Sequence, residues 1–465
     1  MGQPRKKPQK QHVRLIEPVR KQAKNSLNLI QSFTIWKNTR YCGKNGLSVL
    51  VGGMLIFRVL LVGSICVAGS TFAGPILQNE RAQASPSIQV QAAKESFNSW
   101  IAGFRNRALG QGISAATFDA AFREIVYNTN VIDRDRNQSE FTIALWDYLD
   151  IAVSDVRVRN GRRVLDSNMQ LLDRIEETFG VDKEVVVAIW GMETAYGVVR
   201  GSTNIIEAIA TLAYDGRRGK FFEEQLLAAL QILQAGDTDL RNMIGSWAGA
   251  MGHTQFIPTS FLKYAVDGNG DGRRDIWADD PTDALASTAN YLRSFGWVHG
   301  QPWGVEVQIP QGFDYAVSGR ENVKLPSDWA AVGVVDMAGH VIPDHGWASI
   351  LLPAGALGAA FMIFPNFEVI EHYNTADSYV IGVGHLSDRI AGAGPIETLW
   401  PRNDRVLNRE ERIELQERLT AAGFNTKGID GRIGPLTINA IRSYQLVSDI
   451  TPDGYASLRL LNRLR

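Results

Sequence analysis

Three features of this sequence predict a mainly α-helical chain with a small β-containing insertion and a separate three-helix unit at its C-terminus. Apolar residues recur at the helical period from Phe97 to about Trp297. Residues 303–365 turn instead to glycine, proline and alternating valine and isoleucine, the pattern of short strands and loops. The last stretch, Arg409–Arg465, returns to helical spacing around a turn of its own. At 465 residues the chain has room for more than one domain and a substantial core.

The elements follow in order. Residues 1–73 hold 12 of the 48 Lys and Arg residues but one acid, Glu17, so the remainder of the chain is acidic by 12 charges. An acidic body gives no support for nucleic-acid binding. The basic head runs into Leu55–Ala68, an apolar stretch broken by Arg58, and then into small residues ending at Ala73. That order reads as a signal sequence cleaved near Ala73, with Met54 a plausible true start and an uncleaved membrane segment the competing reading. Lipidation at Cys66 ranks last, because Ile65 is bulky. Both cysteines, Cys42 and Cys66, lie in the head, so the exported body has no disulfide and no cysteine ligand or nucleophile. Residues 74–95 read as a polar tether.

Helices are predicted over Phe97–Leu109, Ser114–Phe122, Gln138–Val153, Asn160–Phe179, Lys183–Tyr196, Ile205–Ala213, Gly219–Ala235 and Pro281–Phe295, and again over Asn374–Ala391. This gives a body over residues 96–398, a linker over 399–408 and a terminal unit over 409–465. In that unit helices fall near Arg409–Ala422, from Pro435 onward, and near Ala456–Leu464. About 57 residues can fold alone, with modest stability.

Glu193 is the residue out of place. On the helix begun by Asp182 as N-cap and closed by Gly197, it shares a face with Val186, Ile189 and Trp190. A carboxylate on a face that is to be buried loses hydration, so its pKa rises and it keeps its proton toward neutral pH. A general acid needs that property; a helix-end glutamate bonded to backbone or to an arginine is the structural alternative. A second motif, Gly245–Ser260, sets glycines between large apolar residues, with Ser246 and Gln255 as hydrogen-bonding groups suited to a sugar amide. Glycines there let backbone approach a ligand, or let two helices cross closely. A third, Asp267-Gly-Asn269-Gly-Asp271-Gly272-Arg273, has the oxygen ligands and glycine of the first half of a calcium loop. Its twelfth position is Ala278 rather than glutamate, so an Asx-rich turn without metal is the alternative.

Taken together, Glu193-Thr-Ala-Tyr-Gly197 and Gly245-Ser-Trp-Ala-Gly-Ala-Met-Gly-His-Thr-Gln-Phe-Ile-Pro258 resemble the motifs of the membrane-bound lytic murein transglycosylase B family. Ser260–Asp267, Ala289–Trp297 and Asn366–Asn374 extend the resemblance over about residues 96–392. It implies a lysozyme-like catalytic domain that cleaves the β-1,4 bond between N-acetylmuramic acid and N-acetylglucosamine and leaves a 1,6-anhydro end. Glu193 would be the sole catalytic acid and base. Tyr148, Ser246, Gln255, Tyr373, Asn374 and Tyr379 would line the cleft, Tyr148 on a looser match. The chain departs from the family at Phe221, where a tyrosine is frequent. Calcium, with Asp267, Asn269, Asp271, Arg273 through its carbonyl, and Asp283 as ligands, would be structural, and catalysis would need no cofactor. Residues 409–465 resemble the type 1 peptidoglycan-binding domain through Leu415-Gln416, Gly423-Phe424, Asp430–Pro435 and Ala440–Gln445. Peptidoglycan is then the expected partner, the periplasm the expected location, and membrane attachment through the head the open alternative. A hydrolytic muramidase on the same fold and a non-catalytic wall-binding scaffold are the rival readings.

The chemistry supports the first of these. Glycosidases ordinarily use two carboxylates, and the glycine-rich motifs contain one. One suffices where the substrate's N-acetyl oxygen attacks the anomeric carbon and its own C6 hydroxyl later displaces it. Trp190, Tyr196, Trp247, Tyr373 and Tyr379 are candidate walls for a site that excludes water.

Overall fold

In the computed structural model, residues 86–137 and 143–465 are described, with side chains from residue 96 onward. The head, residues 1–73, lies outside them, as does the start of the helix expected at Gln138. Among the described residues, no helix is long and apolar enough to cross a membrane.

The body is helical, as the periodicity predicts. It comprises α1 (Pro86–Gly110), α2 (Ala115–Ala121), α3 (Thr129–Arg136), α4 (Leu145–Ala152), α5 (Asp155–Ser167), α6 (Met169–Phe179), α7 (Lys183–Thr194), α8 (Ile205–Asp215), α9 (Gly219–Ala235), α10 (Pro258–Tyr264) and α11 (Thr282–Ser294). A two-residue ladder, β1 (Thr203–Asn204) with β2 (Ile244–Gly245), pins the second motif to the chain just after α7. The insertion forms an antiparallel sheet in the order β4-β3-β6-β5, from β3 (Gly304–Gln308), β4 (Val335–Asp336), β5 (Ser349–Leu351) and β6 (Ala360–Ile363), with α12 (Pro326–Ala331) beside it. Its register sets Gly304 opposite Ile363 and Val307 opposite Ala360. Helices α13 (Pro365–Tyr373) and α14 (Asp377–Ala391) return the chain to the body, and α15 (Arg409–Ala421), α16 (Pro435–Val447) and α17 (Leu458–Leu464) form the terminal unit.

Several boundaries differ from the sequence reading for identifiable reasons. The segment 74–95, read as a tether, is helical from Pro86, a residue whose fixed φ suits a helix start. The helix expected over Asn160–Phe179 is two helices meeting at Asn168, whose backbone leaves the helical region (φ −117°, ψ 17°) and whose side chain donates to the Val164 carbonyl beside its own N–H. Asp182 stands at the N-cap of α7 but does not cap it. Its carboxylate accepts from Trp297 Nε1 and Gly300 N. Gly197 does not end that helix either, because Ala195 and Tyr196 take left-handed conformations first.

One large apolar core runs through the body from Phe97 to Ile390, and smaller cores fill the insertion and the terminal unit. Between body and terminal unit, Ala144, Trp146 and Ala354 pack with Trp400, Val406 and Tyr455. The linker lies against the body through Arg402, which makes a two-pronged pair with Asp150, and just before it Glu306 accepts the backbone N–H groups of Glu397 and Thr398.

Candidate active site

Glu193 lies in the last turn of α7, a helix buried on every face from Val185 to Thr194. The amphipathic reading therefore understated its burial, since α7 runs through the core against α14, α5 and α11. Glu193 has no solvent exposure, and burial pushes its carboxyl up to about 7, opposed by one hydrogen bond. That bond comes from Tyr379 on α14, whose hydroxyl donates to Oε1 at 2.6 Å. Oε2 has no hydrogen-bond partner among the described residues. A buried polar atom left without a partner is costly, which singles out Oε2 within the buried carboxyl. Among the described residues, no arginine or second carboxylate acts on Glu193, which argues against the structural reading of a paired helix-end acid.

The helix end that presents Glu193 is strained. Ala195 and Tyr196 have φ of 50° and 61°, and Gln255, in the facing motif, has 56°. Non-glycine residues in this region cost on the order of 1 kcal/mol each and persist where neighbours enforce them. Here Tyr196 folds back over α7: its hydroxyl donates to the Arg157 carbonyl at 2.8 Å, and its ring lies where any side chain at Gly191 would go.

The second motif is a hairpin closed on itself, and this explains its glycines. A Cβ on Gly245 would strike the Ala250 carbonyl, and one on Gly252, at φ 70°, the Ile276 carbonyl. The close approach is backbone to backbone, not helix to helix. Ser246 Oγ accepts the Ala250 N–H at 2.9 Å, so it shapes this turn. Gln255 Nε2 donates to the Gly252 and Arg200 carbonyls. His253, which sequence reasoning passed over, joins the two motifs. Its Nδ1 accepts from Trp190 Nε1 at 3.1 Å, which leaves the proton on Nε2 to meet the Ala278 carbonyl at 2.7 Å. Burial lowers its pKa and keeps the ring neutral. Thr194 also donates to the His253 carbonyl.

The remaining expected cleft residues converge on the same place. Tyr148, on α4, and Tyr373 and Tyr379 are buried, and the Glu193 charge helps to raise the pKa of all three, so all remain protonated donors. Tyr373 donates to the Thr254 carbonyl at 2.6 Å, and Asn374 Oδ1 accepts from Ala376 N, fixing the turn into α14. Phe221 is half-buried against Phe222 and offers no hydroxyl. Two cations of the neighbourhood had no sequence signal. Arg157 is buried behind α7, donating to the Ala152 carbonyl and meeting Met192 Sδ at 3.8 Å. Arg320 comes from the insertion.

At the third motif, oxygens of Asp267, Asp271 and Asp283 lie within 4.8 Å of one another. Asp267 accepts from Gly270, Asp271 and Gly272 N–H groups, and Asp283 from those of Gly268, Asn269 and Asp275. Burial and the Asp267 charge raise the Asp283 pKa. The neighbouring Arg274 turns away to clamp Asp237. Asn269 bridges to Asp271, and Arg273 is exposed.

The geometry is that of a lone buried acid, bonded by a tyrosine, at the end of a helix inside a mainly helical body. Residues 96–388 match the transglycosylase SLT domain and residues 408–464 the peptidoglycan binding domain. The chain belongs to the transglycosylase SLT family. It is 35% identical over 241 residues to membrane-bound lytic murein transglycosylase B of Escherichia coli K12, a match that spans 50% of this chain and 64% of that protein. Pseudomonas aeruginosa SltB3, solved with NAG-anhNAM-pentapeptide, is 48% identical with a TM-score of 0.77, covering 79% of this chain and 99% of that one. Escherichia coli lytic transglycosylase Slt35, solved in complex with calcium, is 30% identical with a TM-score of 0.54, covering 64% and 93%.

Proposed function

We propose that this protein is an exported lytic transglycosylase that cleaves the β-1,4 bond between N-acetylmuramic acid and N-acetylglucosamine and leaves a 1,6-anhydromuramic end. The observation that carries this reading is Glu193: fully buried, with a pKa near 7, one oxygen held by Tyr379 and the other without a partner. Because Tyr379 occupies Oε1, the proton sits on Oε2, poised for the glycosidic oxygen. As the bond breaks, the neighbouring N-acetyl oxygen takes the anomeric carbon, the role a second carboxylate has elsewhere. Glu193, now ionised, accepts the C6 hydroxyl proton, and that oxygen displaces the N-acetyl oxygen to close the anhydro ring. An acceptor already tethered to the sugar outcompetes water through its effective molarity. Tyr148, Ser246, Gln255, Tyr373, Asn374 and Tyr379 shape the cleft. Of these, Ser246 and Gln255 act through the hairpin they hold.

The likeness to SltB3, solved with a NAG-anhNAM-pentapeptide, supports peptidoglycan as the substrate. We take residues 96–398 as the catalytic domain, 399–408 as the linker and 409–465 as a wall-binding module. Export to the periplasm follows from the head, cleaved near Ala73, and not from any described element. At the acidic loop, three clustered carboxylates suit a divalent ion, so Asp267, Asp271 and Asp283 would hold calcium, with Asn269 and the Arg273 carbonyl completing the set. The ion would stiffen the loop that ends where His253 and Arg200 bond the Ala278 carbonyl.

Mass spectrometry of sacculi digested by the purified protein tests the reaction. Anhydro-ended muropeptides, one water lighter than hydrolysed ends, are expected; reducing ends alone would make the enzyme a muramidase, and no release would leave a scaffold.

A further inference from the structure

Resting on the reading of Glu193 as acid and base, we propose that Arg320 of the β insertion is a positioning residue for Glu193, acting by clasping the turn that carries Tyr379. Its guanidinium donates from Nη1 to Glu371 and from Nη2 to Asp377, both at 2.8 Å, and lies 4.7 Å over the ring of buried Phe367. Glu371 stands two residues before Tyr373 near the end of α13, and Asp377 two residues before Tyr379 at the start of α14. The fork thus spans the turn holding Asn374 and ties both flanks to one point. Tyr373 and Tyr379, the outputs of that turn, bond the second motif and Glu193.

Electrostatics makes the clasp more than packing. Glu371 is half-buried and feels Asp377 and Glu368 as like charges, and Arg320 is the cation that opposes them. Without Arg320, carboxylates on two helices would repel across the turn and draw the start of α14 away from α13. Tyr379 enters as the third residue of α14, so its 2.6 Å bond to Glu193 would lengthen. That bond lowers the Glu193 pKa, so its loss leaves the acid protonated to higher pH. The groups around Glu193 itself are Tyr379, Tyr148 and Tyr373, none of which ionises near neutrality. Arg320 is itself held by its own strand region: Gly319 N–H donates to the Ile350 carbonyl, and Arg442 of the terminal module donates to Ser318 Oγ at 3.2 Å.

The test measures the titration of the Glu193 carboxyl in the full-length protein by carboxyl-carbon NMR, assigned by its absence in Glu193→Gln, beside the pH profile of kcat and KM on soluble glycan. Arg320→Ala should move the Glu193 titration and the alkaline limb of kcat up by roughly one pH unit and lower kcat about tenfold, with KM little changed. Tyr379→Phe should do the same, and the double variant should shift no further. Adding Asp377→Asn to Arg320→Ala should restore part of the wild-type titration, because it removes the repulsion; a packing role predicts no such rescue. Arg320→Gln, which keeps the side chain over Phe367, carries the same test where Arg320→Ala fails to fold. A Glu193 titration unchanged in the arginine variants but shifted by Tyr379→Phe would overturn the proposal. If the wild type released no anhydro products yet Glu193 shifted as described, the functional reading would fall and the positioning role would stand.

Discussion

The carboxyl group of Glu193 stands alone and out of contact with solvent, whereas those of Asp267, Asp271 and Asp283 crowd within 4.8 Å of one another in a loop that is mostly exposed. Burial raises the carboxyl pKa in both places, but the surroundings differ. Isolation penalises the charge of Glu193 by desolvation, so the acid holds its proton and can give it away. In the loop the Asp267 charge adds to the burial that raises the Asp283 pKa, and backbone N–H groups oppose both. The two places differ less in the number of acids than in what surrounds them: α7 surrounds its glutamate with core, and the loop surrounds its aspartates with N–H donors.

The strongest way to break this contrast is to remove the proton. Glu193→Gln keeps the shape and burial of the side chain, so its thermal unfolding should remain cooperative. On the proposed mechanism it would lose both the acid and the base step, and turnover on purified sacculi should fall by roughly 10³-fold or more. Near-normal release of muropeptides would place the chemistry on another residue.

Next in size is a stability effect of fixed sign. The Glu193 pKa is raised from 4.5 to about 7 in the folded protein. The native state therefore holds a proton that the unfolded chain has lost, and the stability this gives is full below pH 4.5 and drains away as pH rises through about 7. Glu193→Gln carries no such penalty. Relative to wild type it should gain stability between about pH 5 and about pH 8, by up to about 3 kcal/mol. Urea unfolding at the two pH values measures this; a difference that does not vary with pH would mean the carboxyl ionises normally and is not desolvated.

How much of this was readable beforehand varies with the range of the interaction. The helical body, the strand-and-loop insertion and the three terminal helices follow from local periodicity, and Glu193 stood out because a charged residue interrupts an apolar face. The acidic loop was readable for the same local reason, as ligand spacing. Asp182 and Gly197 were misassigned because tertiary partners overrode local preference: Trp297 and Gly300 take the Asp182 carboxylate, and Tyr196 closes the helix by folding onto Gly191. Arg320, Arg157 and His253 had no signal, because each works through partners distant in sequence, such as Glu371, Met192 and Trp190. The roles expected for Ser246 and Gln255 came from residue type and from the family resemblance; in the fold Ser246 Oγ and Gln255 Nε2 also shape the hairpin.

The loop side of the contrast is sharpened by the ion itself. Calcium at 100-fold excess over its dissociation constant should stabilise the native protein by about 2.7 kcal/mol, seen as a higher melting temperature. Asp267→Ala combined with Asp271→Ala should abolish that response, and magnesium, which demands tighter octahedral geometry, should reproduce it poorly. A melting temperature indifferent to calcium would return the loop to a plain hydrogen-bonded turn.

The smallest effect concerns the terminal module, which stands outside both acid sites. Deleting residues 406–465 removes a tethered second binding site, so co-sedimentation with insoluble peptidoglycan should weaken about tenfold or more, while turnover on short soluble glycans should change less than about threefold. The module is not loosely hung. Asp453 accepts the Ala356 N–H at 2.9 Å, Arg442 reaches Ser318, and Tyr455 shares the apolar contact at Trp146 and Trp400. Its loss therefore uncovers part of the insertion near Arg320. Yet the Gly319 bond to Ile350 and both ion pairs of Arg320 lie within the remaining chain, so the turn that carries Tyr379 keeps its clasp. A truncated protein that folds but loses turnover on short glycans would show that the docking contacts, and not avidity, are what the module contributes, and the division between body and module would have to be redrawn.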